Sequence, residues 1–278
     1  MNIVIVGLGL IGASLAKAFK EYTSHHIIGI DEDLNVLDDA IGFNVIDKAG
    51  DSKDLNNADI IYLCIYPKEA IKFIENNLEF ISSDCIVTDT CGIKSLICNE
   101  LKKLSKNRFE FVGSHPMAGK EKNGFYESDG DLFQNASYII VPGNASEKSI
   151  NIVEKLALSI GFKKFHHIAI ITPQEHDKMI AFTSQIPHIL ACAYVMSPKN
   201  KKHDGFSAGS YRDVSRVANI NEILWTELFI SNKGPLTVEL ELLIDNLTKI
   251  KYLIDNEDTE NLKKVLKQGK IAKEEADN

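Results

Sequence analysis

The sequence predicts a doubly wound α/β domain built on a mostly parallel sheet, followed by an all-helical second half. Three observations carry this. Short apolar runs bounded by turn residues alternate with helix-period segments from residue 2 to about residue 160, the pattern of a parallel sheet with helices on both faces. A glycine-rich turn joins the first of those runs to the first helix. Beyond about residue 172 the strand signals stop, and only a three-to-four-residue periodicity remains. The expected division is an α/β domain over residues 1–168 and a helical domain over residues 169–278, in keeping with about 100–200 residues per domain.

Residues 2–6 form a continuous apolar strand, followed by Gly7-Leu8-Gly9-Leu10-Ile11-Gly12 and a helical pattern. This is G-x-G-x-x-G with a strand before it and a helix after it. Gly7 suits the tight turn, Gly9 lets backbone approach a pyrophosphate, and Gly12 lets helix pack on strand. The start of the helix, at Leu10 and Ile11, offers unpaired N–H groups and a positive dipole end to phosphate. A second strand over residues 27–30 ends at Asp31, 19 residues after Gly12, close to the ~20 expected of a ribose-binding carboxylate. A carboxylate there accepts bonds from ribose hydroxyls and repels a 2′-phosphate. Glu32 and Asp33 deepen that repulsion, so the motif points to a Rossmann-type fold and to NAD rather than NADP.

Strand and helix patterns keep alternating. Residues 59–65 read as a strand, and Pro67 opens a helix at a position that suits proline. Residues 85–88 read as another strand, leading into Asp89-Thr90-Cys91-Gly92-Ile93-Lys94 and a further helix. Residues 109–112 are a short strand ending in Gly113-Ser114-His115-Pro116-Met117-Ala118-Gly119, with a long loop after it. Residues 137–141 and 147–160 complete the domain as strand and helix. In the second half, residues 173–196 read as helical apart from a break at Pro187, and residues 220–231 as another helix. Gly234-Pro235 punctuates the chain. Leu236, Leu240, Leu243, Leu247, Ile250 and Ile254 then form a narrow apolar stripe, of the kind that packs on partner helices within a domain and across a two-fold dimer. Residues 260–276 read as a charged amphipathic helix.

A net charge of −8 without a long basic cluster argues against nucleic acid or an anionic membrane as partner. Five cysteines without C-x-x-C spacing suggest neither a disulfide framework nor a zinc site. No apolar run approaches the ~18 residues of a membrane span, and no leader is expected because the chain begins at once with a strand. These features are those of a soluble cytoplasmic protein that needs no metal.

His115 carries the most pointed chemistry. A following proline keeps it extended, and an extended histidine beyond a strand's carboxyl end sits where open α/β sheets bind ligands. With an ordinary pKa near ~6.5 it suits proton transfer at neutral pH. The G-S-H-P-M-A-G stretch, His176-Asp177, Gln185-Ile186-Pro187-His188, the segment from Gly209 to Arg216 and Trp225 together resemble the prephenate dehydrogenase family of tyrosine biosynthesis. The resemblance implies that His115 is the catalytic histidine, that His188 and Arg216 hold the substrate, and that Glu121, Gly209, Asp213 and Trp225 line its site. It also implies a homodimer through the helical domain. Two positions depart from the family pattern: Gly92 stands where relatives often carry a serine, and Gln185 where they often carry a histidine.

The resemblance implies NAD-dependent oxidative decarboxylation of prephenate to 4-hydroxyphenylpyruvate. Prephenate carries two carboxylates, which suits the planar fork of Arg216. Arogenate is the nearest alternative substrate. A β-hydroxyacid or imine reductase and a non-catalytic NAD-binding regulator are more distant readings. Arg216 as a surface partner of Asp213, His188 as a satisfied core histidine, and His25, His26, His166 and His167 as structural groups are the corresponding readings without function.

Overall fold

The computed structural model describes residues 1–105, 108–162 and 171–277. The expected domain boundary at residues 168–169, together with His166 and His167, lies outside the described residues. The chain divides into two compact units, Met1–Asn232 and Lys233–Asn278.

The first unit opens with β1 (Asn2–Val6), α1 (Leu10–Tyr22), β2 (His26–Ile30), α2 (Leu34–Gly42) and β3 (Lys48–Ala49). Then follow β4 (Ile60–Leu63), α3 (Pro67–Asn77), β5 (Ile86–Asp89), α4 (Ser95–Ser105), β6 (Glu110–Met117), β7 (Ser137–Val141) and α5 (Glu147–Ser159). The seven strands lie in the order β3-β2-β1-β4-β5-β6-β7. All neighbours pair parallel except β6 with β7. The central strands β1 and β4 are almost wholly apolar because both of their faces are covered. Ile3 and Ile5 pack with residues of α1 and α5 in one cluster, whereas Val4 and Val6 pack with residues of α3 and α4 in another. A strand buried on both sides has no polar face to alternate with. The strand order reverses between β1 and β4, which opens the crevice where such sheets bind ligands.

The sequence does not signal α2 or β3. In α2, Asp33 caps the first turn by accepting the Asn35 N–H, and only Leu37 and Ala40 are buried, too few to mark an apolar stripe. β7 is antiparallel to β6, and this pairing corrects the expected place of His115. Rather than leaving the sheet after Val112, the chain stays extended to Met117, with His115 opposite Ile139. The parallel pairing with β5 ends at Val112, so His115 lies on a strand that overshoots its neighbour's carboxyl end.

The remaining helices of this unit are α6 (Pro173–Ile180), α7 (Ile186–Val195), α8 (Gly209–Ser215) and α9 (Glu222–Ser231). Pro187 does not break the helix as expected. A π-helical turn, Ala181–Gln185, joins α6 to α7, and Pro187 lies in the first turn of α7. Proline lacks an N–H and its ring crowds the carbonyl of the preceding turn; the wider π turn removes that conflict and keeps the axis running.

The second unit is a hairpin of α10 (Lys233–Asp255) and α11 (Thr259–Ala276). Gly234 and Pro235 fall inside the first turn of α10 rather than before it, where a missing N–H costs nothing. Along α10, Val238, Leu242, Ile244, Leu247, Tyr252 and Ile254 are exposed in the single chain. Among the described residues no helix is long and apolar enough to cross a membrane.

Candidate active site

The glycine turn lies at the crevice between β1 and β4. Gly7 has φ +87°, and a Cβ there would lie 2.4 Å from Ile65. At Gly12 a Cβ would lie 1.9 Å from the Gly7 carbonyl oxygen, so only glycine lets α1 start this close to β1. Gly9 differs: nothing lies within 4 Å of its Cβ position. The turn therefore leaves space above Gly9, and α1 begins without a side-chain cap, so its first N–H groups are free to meet an anion. On the adjacent strand end, Asp31 Oδ2 accepts the Leu8 N–H at 2.6 Å and Oδ1 accepts the Asp33 N–H at 3.0 Å. The carboxylate is thus tied to the glycine turn itself. An open cradle above a helix start, beside an oriented carboxylate, fits the pyrophosphate and ribose of a dinucleotide.

A polar cluster occupies the carboxyl ends of β5 and β6. Asp89 and Lys94 form an ion pair with both side chains fully buried. Asp89 also accepts the N–H groups of Ser114 (3.0 Å) and Cys91 (2.9 Å). Burial disfavours the Lys94 ammonium, but Asp89 outweighs it and the pKa is raised, so a positive charge sits under the strand ends. The Ser114 hydroxyl meets those of Thr88 at 3.0 Å and Tyr138 at 2.7 Å. Asp89 and Ser114 lie in stretches the sequence singles out but carry no role there, and Tyr138 is not marked at all, though polar residues at the ends of apolar strands are a usable signal for such a cluster.

His115 sits above this cluster. Its Nδ1 lies 3.0 Å from Nε2 of His176 on α6. Nδ1 of His176 lies 2.9 Å from Asp177 Oδ1. The Asp177 carboxylate accepts the N–H groups of Lys94 and Ser95, each at 2.7 Å, so it also holds the start of α4. Burial, then His176, then Lys94 push the His115 pKa well below the ordinary histidine value. Burial also lowers His176, against the opposing bond to Asp177. Both rings are neutral at pH 7. The opposite edge of His115 points toward Gly92, whose Cβ position is 3.9 Å from His115 Nε2 and 3.6 Å from Leu228.

Helix α9 brings the second half of the site over these strand ends. Glu227 accepts the Lys68 N–H at 2.8 Å, and Asn221 donates to the Tyr66 hydroxyl at 3.0 Å. Buried Gln185 donates to the Leu228 carbonyl at 3.3 Å and accepts from Asn232 at 2.7 Å, so its amide is used at both ends to lock α9 to the π turn. His188 stacks on Trp225 with ring centroids 3.8 Å apart. Its Nδ1 donates to the Ser184 carbonyl at 2.8 Å, which leaves Nε2 as the free ring nitrogen. Burial lowers its pKa.

Arg216 pairs with Glu121 of the β6–β7 loop, not with Asp213. Asn219 reinforces the contact by donating to the Glu121 carbonyl at 3.2 Å. Asp213 is exposed on α8, with one carboxylate oxygen 4.0 Å from the Cβ position of Gly209. Of the residues singled out from the sequence, Gly7, Gly9, Gly12 and Asp31 therefore form one group, and His115 with His176 a second. His188 pairs with Trp225, and Glu121 with Arg216.

Comparison with known proteins identifies the lineage. The nucleotide-binding domain of prephenate dehydrogenase matches residues 15–165, and its dimerisation domain matches residues 172–268. The chain belongs to the prephenate dehydrogenase family. Prephenate dehydrogenase of Bacillus subtilis is 30% identical over 97% of this chain and 74% of its own length. Among solved structures, prephenate dehydrogenase of A. aeolicus in complex with hydroxyphenyl propionate and NAD+ superimposes with a TM-score of 0.86 at 26% identity, covering 99% of this chain and 98% of that one. Synechocystis arogenate dehydrogenase gives a TM-score of 0.83 at 27% identity, covering 99% of this chain and 100% of that one. Members of the prephenate dehydrogenase family are oxidoreductases, and the Rossmann-type sheet with its glycine turn is the NAD-binding part of this one.

Proposed function

We propose that this chain catalyses the NAD-dependent oxidative decarboxylation of prephenate to 4-hydroxyphenylpyruvate, as a cytoplasmic homodimer joined through its helical domain. The observation that carries the reading is the setting of His115. It is a neutral, half-buried ring at the carboxyl edge of the sheet that also carries the dinucleotide cradle, with Nε2 facing Gly92.

NAD, when bound, supplies the hydride acceptor. The N–H groups at Leu10, Ile11 and Gly12 hold its pyrophosphate and Asp31 its adenosine ribose. His115 Nε2 accepts the proton of the substrate's ring hydroxyl, a contribution of about 10²–10⁴-fold in rate. Burial, with His176 and the Lys94 ammonium adding to it, opposes protonation of His115 beforehand, so the ring arrives as an acceptor. Arg216 exchanges Glu121 for a substrate carboxylate, which it binds through its planar fork. Trp225 and His188 provide a flat wall for the substrate, and Gly209 and Asp213 border it. Loss of carbon dioxide aromatises the ring and sends the electron pair of the broken bond to the ring oxygen, which takes its proton back from His115 Nε2, and this draws the reaction forward.

Arogenate is the second reading, supported by the likeness to Synechocystis arogenate dehydrogenase. Its ammonium needs an acceptor, and Nε2 of His188 and the exposed carboxylate of Asp213 are suitable. NADH formation with each substrate, measured for the native chain and for His115→Asn, tests both readings. Turnover with prephenate that collapses in the variant while NAD still binds is the expected result. Turnover with arogenate alone changes the substrate, and turnover with neither overturns the enzymatic reading.

A further inference from the structure

His176 and Asp177 are buried (1% and 2% exposed), and the reaction outlined above gives them no contact with substrate. We propose that Asp177, acting through His176, is a positioning residue that sets the ring tautomer of His115 and thereby places the lone pair on Nε2. The inference rests on His115 being the proton acceptor.

Hydrogen-bond bookkeeping gives only one assignment. The Asp177 carboxylate has acceptors only, and it takes the N–H groups of Lys94 and Ser95 together with the Nδ1 edge of His176. Nδ1 of His176 therefore carries the proton. In a neutral ring Nε2 then bears the lone pair, so the 3.0 Å contact to His115 Nδ1 is a bond donated by His115. With Nδ1 protonated, neutral His115 has its lone pair on Nε2, the atom nearest Gly92. Asn232 fixes the other end by donating to the Asp177 carbonyl at 2.9 Å. When Nε2 takes the hydroxyl proton, the imidazolium keeps its Nδ1–H on His176, and no second proton moves.

Asp177→Ala removes the acceptor that holds the proton on His176 Nδ1; one carboxylate oxygen takes both that edge and the Lys94 N–H, so an amide in its place would keep accepting from His176. Without the carboxylate His176 is free to donate from Nε2, and the proton of His115 is no longer fixed on Nδ1. Nitrogen-15 spectra of ring-labelled histidines read the tautomer directly, with NAD binding as the check on folding. In the native protein His115 is expected with the proton on Nδ1. In Asp177→Ala a population with the proton on Nε2 is expected to appear, and kcat is expected to fall by up to about 10²-fold with the KM for NAD unchanged. Because Asp177 also holds the start of α4, His176→Gln and His176→Leu give a second route. Glutamine offers an amide oxygen close to where Nε2 lies and is expected to keep kcat within about tenfold, whereas leucine leaves Nδ1 unpaired and loses the larger factor. A native His115 with its proton on Nε2, or equal activity in the glutamine and leucine variants, overturns the proposal. Full turnover by His115→Asn instead removes the reading on which it rests, while the tautomer measured by nitrogen-15 stands apart from activity.

Discussion

Arg216 and Glu121 form an ion pair between a short helical turn of the second half and the loop after β6, although they are 95 residues apart in sequence. The two side chains are 63% and 36% exposed, and pairs this exposed contribute about 0–1 kcal/mol. A pair this weak would yield to a substrate carboxylate at little cost, which is the premise of two tests. Arg216→Ala is expected to raise the substrate KM about 10–100-fold, in line with about 1.5–3 kcal/mol for a charged hydrogen bond, with kcat changed much less. Glu121→Gln removes the competitor and is expected to lower KM by up to about fivefold. Steady-state kinetics with prephenate checks both, and an unchanged KM in Arg216→Ala sinks the assignment.

The two glycines at the crevice separate folding from binding. Gly12 has no room for a methyl group and Gly9 has ample room. Gly12→Ala is expected to lower stability by about 1–3 kcal/mol, the usual cost of overpacking, and Tm by roughly 2–10 °C. Gly9→Ala is expected to keep its Tm but to raise the KM for NAD at least about tenfold, because the new methyl occupies the space the pyrophosphate needs. Thermal melts with and without NAD distinguish the two. If both variants melt like the native protein and bind NAD normally, the turn is not the phosphate cradle.

Much of this architecture is legible in the sequence, for physical reasons. Strands such as β1 and β4 are buried on both faces, so they are written as uninterrupted apolar runs, and the glycine turn is dictated by steric limits that any chain must obey. The direction in which β7 pairs is not written locally, because Ser137–Val141 is equally apolar for either direction, and the reach of β6 through His115 depended on it. The link from His115 to His176 spans 61 residues. Helical periodicity marks His176 and Asp177 as polar positions in an apolar segment but says nothing of the strand they face. Gln185 illustrates the same limit: only the fold shows that its amide bridges α9 and Asn232.

Asp31 has two duties, and its replacement should reveal both. Besides the ribose-binding role proposed for it, it accepts the Leu8 N–H at 2.6 Å. Asp31→Ser is expected to reduce the preference for NAD over NADP, as a ratio of kcat/KM values, by at least about tenfold, or 1.4 kcal/mol. It is also expected to lower Tm, since the Leu8 N–H loses its charged partner. A variant that keeps the native cofactor ratio shows that Glu32 and Asp33 carry the discrimination instead.

Stability should depend on pH with a definite sign at each end. Burial holds the pKa values of His115, His176 and His188 below the ordinary histidine value, so between about pH 6.5 and their folded values the unfolded chain binds more protons than the folded one. Their neutral burial therefore costs nothing above about pH 6.5, and stability falls as the pH drops below it. At the alkaline end burial pushes the thiols of Cys64, Cys85 and Cys98 up to about 12. The unfolded thiols ionise near ~8.5, so stability falls again as the pH rises beyond that value. Urea unfolding from pH 5 to 10 should give a plateau between about pH 7 and 8 with a decline on each side. His176→Gln should shallow the acid decline and leave the alkaline one unchanged. An acid limb of native steepness in that variant, or a flat profile from pH 5 to 7, would show that the buried histidines are not held neutral.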